Sequence, residues 1–367
     1  MPYVDYAATQ PMRQAAIDAW VDAAGCLNSG AQYASGRKAR SVLDDARETI
    51  AQLLGCEPIE VIFTASGTES NNIAVQGLYN AGSTNRIVST DIEHPAVREV
   101  VSALGKRGAD VDLLPVGSDG HVSDLSALDM PADVIACMWA NNETGTLQPV
   151  REICEHAQGP VHVDAVQVIG KLPVNFSELG ATTLAASAHK FGGPRGIGLL
   201  LAKRTPAPQP LMLGGGQQRG IRPGTIDVAS AAGLAAALKE SCAEMEAENK
   251  RLGALRDRLR DGVLGSIDDV AVHTQEPALS SHVQFSFPGT DSDSLLLLLD
   301  QQGIEASAGS ACSAGVQRIS HVLEAMGASD EVARGALRFT LGRDTTDEDV
   351  EFILDKLPDI VKRARLV

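Results

Sequence analysis

The chain has 367 residues, too many for one small hydrophobic core, so we expect one large and one smaller domain. Its 44% hydrophobic and 21% charged residues are typical of a water-soluble globular protein. The formal net charge of −16 argues against direct, charge-driven binding of nucleic acid, because phosphate binding needs a basic face.

The cysteines are few for this length and none forms a Cys-x-x-Cys pair, so we predict no metal site within the chain. They are Cys26, Cys56, Cys137, Cys154, Cys242 and Cys312. Sparse cysteines predict reduced thiols and a cytoplasmic location. The N-terminus lacks a basic region followed by an apolar run, so we expect no signal peptide. The longest apolar runs, such as residues 295–299, are too short to span a membrane.

From about residue 59 to 202, strand-like apolar runs alternate with helical stretches, which predicts an α/β domain with a mostly parallel, seven-stranded sheet. The strand candidates are residues 61–63, 86–89, 111–114, 133–138, 161–164, 183–185 and 198–201. Ligands bind at the C-terminal ends of the strands in such sheets. Polar residues that could bind a ligand or take part in catalysis follow most of these runs, so we expect a site at this edge of the sheet.

The rest of the chain predicts a second, smaller α+β domain. Residues 205–224 are rich in Pro and Gly and predict a connection with functional loops, and a long helix follows from Ser230 to about Leu264. Short strands are predicted at residues 283–287 and 336–340. We therefore predict a large domain of residues 15–237, and a small domain of residues 1–14 and 238–367.

The most informative motif is a lysine, Lys190, placed between a strand and a glycine-rich turn, with Ser187 and His189 beside it. Asp164 ends an apolar strand one crossover upstream, where an unpaired carboxylate is costly. A lysine that forms a Schiff base and a carboxylate that keeps a pyridine nitrogen protonated are what pyridoxal 5'-phosphate (PLP) requires. The alternatives are a solvated surface lysine and an aspartate that caps a helix.

Other segments supply groups that a PLP site needs, each with a simpler structural alternative. Residues 64–72 open a helix after a strand and could hold a phosphate, or could be an ordinary helix cap. His94 could stack on a cofactor ring, or be a loop histidine before Pro95. Asn142 and Gln167 could hydrogen-bond the cofactor's phenolic oxygen, although Asn142 also suits a turn.

Two C-terminal positions suggest a substrate site with sulfur chemistry. Cys312 lies in a run of very small residues, 307–315, which offers few packing anchors, although a lone cysteine is more often buried and inert. Arg338 alternates with apolar residues on a predicted strand and could bind a carboxylate through two parallel hydrogen bonds, or form a structural salt bridge. The loop at residues 214–225 could bind an anion or be a flexible linker.

In their order and spacing these segments resemble the cysteine desulfurases of the NifS/IscS type, within the class V aminotransferase superfamily. The match runs from residues 5–9 to residues 338–343, and its signature is the Gly-Ser-Ala-Cys loop at residues 309–312. The resemblance implies PLP fold type I, an aspartate-aminotransferase-like architecture. Gly67 departs from the more usual alanine at that position.

The resemblance also implies roles for individual residues. Lys190 binds the cofactor aldehyde, and Cys312 receives sulfur from L-cysteine as a persulfide, which leaves L-alanine. Asn142 and Arg338 hold the substrate carboxylate, and His94 stacks on the ring and handles the thiol proton. The remaining cofactor contacts are Gly67, Thr68, Asn142, Asp164, Gln167, Ser187 and His189, together with Thr225 of the other subunit of a homodimer.

The resemblance leaves the sulfur acceptor open: an iron–sulfur scaffold or a tRNA-thiolation protein would each need the same reaction. Two alternatives differ more deeply. One is another class V PLP enzyme, an aminotransferase or selenocysteine lyase, in which Cys312 is incidental. The other is a non-catalytic scaffold homologue, against which the presence of Lys190, Asp164, His94 and Cys312 argues.

Overall fold

The computed structural model describes residues 1–309 and 319–366. A seven-stranded sheet forms its centre, with the spatial order β1-β7-β6-β5-β4-β2-β3. Its strands are β1 (Val61–Thr64), β2 (Arg86–Thr90), β3 (Asp110–Leu114), β4 (Val134–Met138), β5 (Val161–Asp164), β6 (Thr183–Ser187) and β7 (Gly198–Ala202). Only β7 runs against the others, so the predicted mostly parallel sheet of seven strands is confirmed.

Helices cover both faces of this sheet, which is why its central strands β4, β5 and β6 are buried at every position rather than at alternate ones. On one face, α3 and α4 pack against residues such as Val134 and Ala136 of β4. On the other, α2, α5, α6 and α7 pack against neighbours such as Ile135 and Cys137. The helices are α1 (Gln14–Ala23), α2 (Ala34–Leu54), α3 (Gly67–Ala81), α4 (Pro95–Gly105), α5 (Val150–His156), α6 (Phe176–Leu179) and α7 (Val228–Ser266).

A second, antiparallel sheet has the order β10-β9-β8 and its own apolar core. Its strands are β8 (Ala271–Val272), β9 (His282–Ser286) and β10 (Ala336–Thr340), and the helices near it are α8 (Ser292–Gln301), α9 (His321–Ala325), α10 (Asp330–Arg334) and α11 (Asp347–Ala364). The N-terminal segment joins this sheet, because Asp5 pairs in parallel with Thr340. The two predicted strands are confirmed, and β8 was not predicted.

The long helix α7, which the sequence predicted from Ser230 to about Leu264, packs in both cores. Asp227 begins it by accepting a hydrogen bond from the Ser230 backbone at 3.0 Å. Residues such as Leu234 and Leu238 pack in the core of the large sheet. Leu255 and Leu259, further along the helix, pack in the core of the small sheet.

The glycine-rich loop after β7 is tied to the large sheet rather than free. Strand β1 lies at the sheet edge, and the Gln218 side chain bonds to both polar groups of Phe63 on that strand. Its Oε1 accepts from the Phe63 backbone N–H at 2.6 Å, and its Nε2 donates to the Phe63 carbonyl at 2.7 Å. Along residues 1–309 and 319–366, no helix is both long and apolar enough to cross a membrane.

Candidate active site

One cavity of about 820 Å³ opens where the C-terminal ends of the parallel strands meet the small sheet. Of the residues that the sequence predicted for the site, it is lined by Gly67, Thr68, His94, Asn142, Asp164, Gln167, Ser187, His189, Lys190 and Arg338. Thr225 does not line it, and Cys312 lies outside the described residues. Residues separated by more than 270 positions in sequence are thus brought together by the fold.

Lys190 lies in a short 3₁₀ turn directly after β6. Its Nζ donates to the carbonyl oxygens of Ala7 at 2.5 Å and Ala8 at 2.9 Å. Burial, assisted by the nearby Arg338, lowers the pKa of this lysine to about 8. A substantial fraction of the amine is therefore neutral near physiological pH, which is the form that attacks an aldehyde or removes a proton.

Asp164 is buried at the end of β5 and is oriented by a chain of hydrogen bonds. Its Oδ2 accepts from Asn71 Nδ2 at 2.6 Å, and Asn71 Oδ1 lies 2.9 Å from His162 Nε2. His162 Nδ1 lies 2.9 Å from Thr183 Oγ1. Burial lowers the pKa of His162 to about 3, so the ring is neutral and its Nε2 proton points to Asn71.

The start of α3 provides a cradle for an anion. Ser66 caps the helix by accepting from the Glu69 backbone at 3.1 Å, which leaves the hydroxyl of Thr68 beside the cavity. Ser187 and His189 face this end from the other side. His189 Nδ1 lies 3.2 Å from Thr9 Oγ1, and burial together with Lys190 lowers the pKa of the ring to about 4. If Thr9 donates to Nδ1, the neutral ring presents Nε2–H as a donor.

His94 is the residue that begins α4, not a plain loop histidine. Its Nδ1 accepts from the Ala96 backbone at 3.1 Å, so the ring proton is on Nε2. Burial lowers the pKa of His94, which keeps the ring neutral and able to lie against an aromatic ligand. The preceding residue, Glu93, is fully buried. Its Oε1 accepts hydrogen bonds from Thr90 Oγ1 and from the Met138 backbone N–H, both at 2.8 Å.

Arg338 already has an ion-pair partner. Its Nη2 lies 2.5 Å from Asp5 Oδ1, and its Nη1 donates to the Asn142 carbonyl at 2.8 Å. Its Nε is buried and has no partner among the described residues. The structural salt bridge considered from the sequence is therefore present, and a substrate carboxylate would have to share this guanidinium with Asp5.

One predicted residue, Thr225, stands apart from the cavity, and another, Cys312, lies outside the described residues. Thr225 is exposed and lines a different cavity, together with Arg47 and Gln218. Cys312 lies in residues 310–318, outside the described part, but Gly309 and Ile319 on either side of that segment both line the cavity of Lys190. Among the described cysteines, burial raises the pKa of Cys56 to about 12 and of Cys154 to about 11, so both thiols stay protonated.

Sequence reasoning did not assign a function to Asn71, His162 or Asp5. Asn71 lies in the predicted anion-binding segment. It is one helical turn after Gly67, which places both residues on the same face of α3. His162 and Asp164 alternate on one strand and so share a face of the sheet. These spacings were a usable signal. Nothing in the sequence near Asp5 indicates its pairing with Arg338, which is 333 residues away.

The donor set fits PLP. Asp164 is a buried carboxylate without a cationic side chain in ion-pair distance among the described residues, as a protonated pyridine nitrogen would require. Neutral rings, hydroxyls and the start of α3 suit the aromatic ring and the phosphate. The cavity volume lies within the range of small-molecule sites.

Comparisons with known proteins agree with this arrangement. The model of the family described as aminotransferase class V matches residues 2–353. The chain is 46% identical to an IscS-like cysteine desulfurase of Mycobacterium tuberculosis over 382 aligned positions, covering 100% of this chain and 97% of the relative. It is 40% identical to the cysteine desulfurase IscS of Dictyoglomus turgidum, and the alignment covers 100% of this chain and 95% of that relative.

A solved structure of a NifS-like protein superposes with a TM-score of 0.90 at 32% identity, covering 99% of each chain. Its likeness extends over both sheets, and the class V aminotransferases and cysteine desulfurases are PLP enzymes. The chain therefore belongs to the class V aminotransferase family, in the group of the IscS-like and NifS-like cysteine desulfurases.

Proposed function

We propose that this chain is a PLP-dependent cysteine desulfurase that converts L-cysteine to L-alanine and carries the released sulfur on Cys312. The observation that supports it most is that one cavity contains both Lys190, whose pKa is lowered, and Asp164, a buried carboxylate that has no ion-pair partner among the described residues. The cavity is also lined by the residues on both sides of the Cys312 segment. The names of the relatives support the same reaction.

In this proposal each side chain of the cavity has a defined task toward the cofactor. Lys190 holds its aldehyde carbon and Asp164 its pyridine nitrogen, while Gln167 faces the phenolic oxygen and His94 the ring. Thr68, Ser187 and His189 hold the phosphate beside Gly67. When bound, PLP supplies an electron sink for negative charge at the substrate Cα.

The substrate is held by its carboxylate and loses sulfur to a thiolate of the chain. Asn142 and Arg338 bind the carboxylate, and Lys190 moves the Cα proton, for which a pKa near 8 is suited. The bond between the substrate Cβ and sulfur breaks as the Cys312 sulfur bonds to the substrate sulfur. L-Cysteine and the Cys312 thiol thus become L-alanine and a Cys312 persulfide, without an external oxidant.

The experiment that tests this function measures alanine formed from L-cysteine by the PLP-loaded protein with a thiol reductant. We expect wild type and the control Cys26→Ala to form alanine at similar rates, and Cys312→Ala and Lys190→Ala to lose it. Equal rates for Cys312→Ala and wild type would indicate another class V enzyme. A normal rate for Lys190→Ala would contradict the whole scheme.

We further propose a homodimer that works in the cytoplasm, where thiols are kept reduced. The exposed apolar residues Leu211, Met212 and Leu213 precede the glycine-rich loop and suit a subunit contact. The sulfur acceptor is proposed to be a protein, such as an iron–sulfur scaffold or a tRNA-thiolation protein. The net charge of −16 disfavours direct contact with nucleic acid.

A further inference from the structure

Gln167, one of the proposed cofactor contacts, is held by a lysine four residues further along the chain. Lys171 Nζ donates to Gln167 Oε1 at 3.0 Å. The other end of the amide, Nε2, donates at 3.1 Å to the carbonyl of Ala7, which also accepts from Lys190. Lys171 is thus linked to Lys190 through one side chain and one carbonyl.

This contact and the Ala7 carbonyl together determine which end of the amide faces the cavity. The oxygen and nitrogen of a glutamine amide differ little in size, so packing alone distinguishes the two orientations poorly. Lys171 Nζ donates in this contact, and its ammonium form has no lone pair with which to accept, so that form selects the oxygen of Gln167. With the amide reversed, Gln167 Oε1 would face the Ala7 carbonyl, and two acceptors would oppose each other.

The backbone around Lys171 is fixed on several sides. Its N–H donates to the Val168 carbonyl at 2.8 Å, and its carbonyl accepts from Asn249 Nδ2 of α7 at 2.6 Å. Gly170, with φ of +79°, has no room for a side chain, because a Cβ there would lie 2.7 Å from Ser241 Oγ. The position of the Lys171 backbone, from which the side chain reaches Gln167, therefore follows from the fold.

The surroundings of Lys171 are unfavourable for a cation, so its presence needs an explanation. Burial, with Lys190 and Arg338 nearby, lowers the pKa of Lys171 to about 7. Within residues 1–309 and 319–366 no carboxylate forms an ion pair with its ammonium. The charged and titratable groups that face it or line the small cavity beside it are Arg13, Lys190, Glu248, His282, Arg338 and Arg343.

We propose that Lys171 is a positioning residue, which keeps the Nε2 of Gln167 turned toward the phenolic oxygen of the bound cofactor. This inference rests on the proposed function, because it assumes PLP on Lys190 and Gln167 beside its phenolic oxygen. A phenolate is an acceptor, and a donor opposite it lowers its basicity. Lys171 itself touches neither cofactor nor substrate in this role.

The test is the pH dependence of the visible absorption of the PLP-loaded protein. This absorption reports the proton shared between the phenolic oxygen and the nitrogen of Lys190, not of Lys171. In Lys171→Met the apolar side chain fills the space but cannot orient Gln167. We expect the pH midpoint to rise by about one unit, a tenfold change in proton affinity. Lys171→Arg retains donors and should stay near the wild-type midpoint. Lys239→Met, an exposed lysine of α7, is the matched control.

A double-mutant cycle separates action through Gln167 from a direct effect of charge. Gln167→Leu should raise the midpoint by a similar amount, and adding Lys171→Met should then change it little. Additive shifts, or no shift in Lys171→Met even with a lower melting temperature, would overturn the inference and leave the proposed function intact. A wild-type protein that binds no PLP would overturn both.

Discussion

At the residue scale, Glu93 is a carboxyl group that the fold keeps protonated. It is fully buried beside His94, and its Oε2 has no hydrogen-bond partner among the described residues. Burial raises the pKa of this carboxyl to about 8, and Asp164 adds to the rise, although the hydrogen bond from the Met138 backbone opposes it. The acid form of Glu93 is therefore the stable one at neutral pH.

This pKa makes the stability of the protein depend on pH in a definite direction. Because the folded pKa lies above the unfolded value of 4.5, the contribution of Glu93 is complete below about pH 4.5 and is lost as the pH rises through about 8. Glu93→Gln keeps the acceptor for Thr90 and Met138 but cannot ionise. We expect it to match wild type near pH 5 and to exceed it increasingly toward pH 8, by up to about 1.4 kcal/mol per pH unit.

Urea unfolding of Glu93→Gln and wild type between pH 5 and pH 8 measures this difference. Glu246→Gln, at an exposed position of α7, is the control and should change neither the stability nor its slope with pH. A constant difference between Glu93→Gln and wild type across the range would mean that Glu93 is already ionised in the folded protein.

At the element scale, the start of α3 and the turn after β5 fit together through a small residue and a large one. A Cβ added at Gly67 would lie 2.7 Å from Val166 Cγ2 and 3.3 Å from Ser187 Cβ. Valine is branched at Cβ and cannot easily rotate away. The glycine that departs from the more usual alanine is thus matched by Val166.

This close contact predicts that a second substitution, at Val166, restores the stability lost by a substitution at Gly67. Gly67→Ala should destabilise the protein by about 1–3 kcal/mol through overpacking, although alanine is the better helix former. Val166→Ala should restore the space, so that the double variant is more stable than the sum of the single effects by about 1 kcal/mol or more.

Urea unfolding of the four proteins measures that coupling. Gly253→Ala, in the middle of α7, where the nearest atom would be 3.8 Å from the new Cβ, is the control and should be neutral or stabilising. Purely additive effects of Gly67→Ala and Val166→Ala would show that the two residues do not limit each other.

The elements also show what the sequence could and could not predict. All seven strands of the large sheet were predicted. Six of them are buried at every position and have largely apolar sequences, whereas the edge strand β3 is mostly exposed and was identified from Val111, Leu113 and Leu114. β8 was missed, since two residues carry no pattern. The salt bridge of Arg338 with Asp5 and the bond of Asp164 to Asn71 were not predictable, because they join distant segments. The sequence around Lys171 does not distinguish it from a surface lysine, because its contact with Gln167 forms only in the folded chain.

The proposed division into domains, with a boundary near residue 238, would fall inside α7. The helix is continuous there, and its two halves pack in different cores. A rigid helix shared by two cores transmits a displacement of one to the other more directly than a flexible linker does. The boundary remains a prediction.

At the scale of the whole molecule, the proposed role of Thr225 makes a complete active site depend on the formation of a dimer. It is exposed in its own chain and away from the cavity of Lys190. In the proposed homodimer it reaches the phosphate of the partner's site. A heterodimer of one Lys190→Ala subunit and one Thr225→Val subunit would then hold one fully intact site and one site with both defects.

Alanine production by this heterodimer, purified with two different tags, tests the assembly. We expect about half the activity of the wild-type dimer. If Thr225 served its own chain, neither site would be intact, and activity would not exceed half that of the Thr225→Val homodimer. Light scattering during gel filtration should give twice the chain mass of 38.4 kDa.

The side chain of Gln218 takes the place of a neighbouring strand at the edge of the large sheet. An open edge is a template on which further chains can pair. The amide of Gln218 therefore occupies both backbone hydrogen-bonding groups of Phe63, which removes one point at which another chain could pair. Hydrolysis of that amide to a carboxylate would replace the donor to the Phe63 carbonyl with an acceptor. Gln218 of the glycine-rich loop thus bears on how long the protein stays monodisperse in storage.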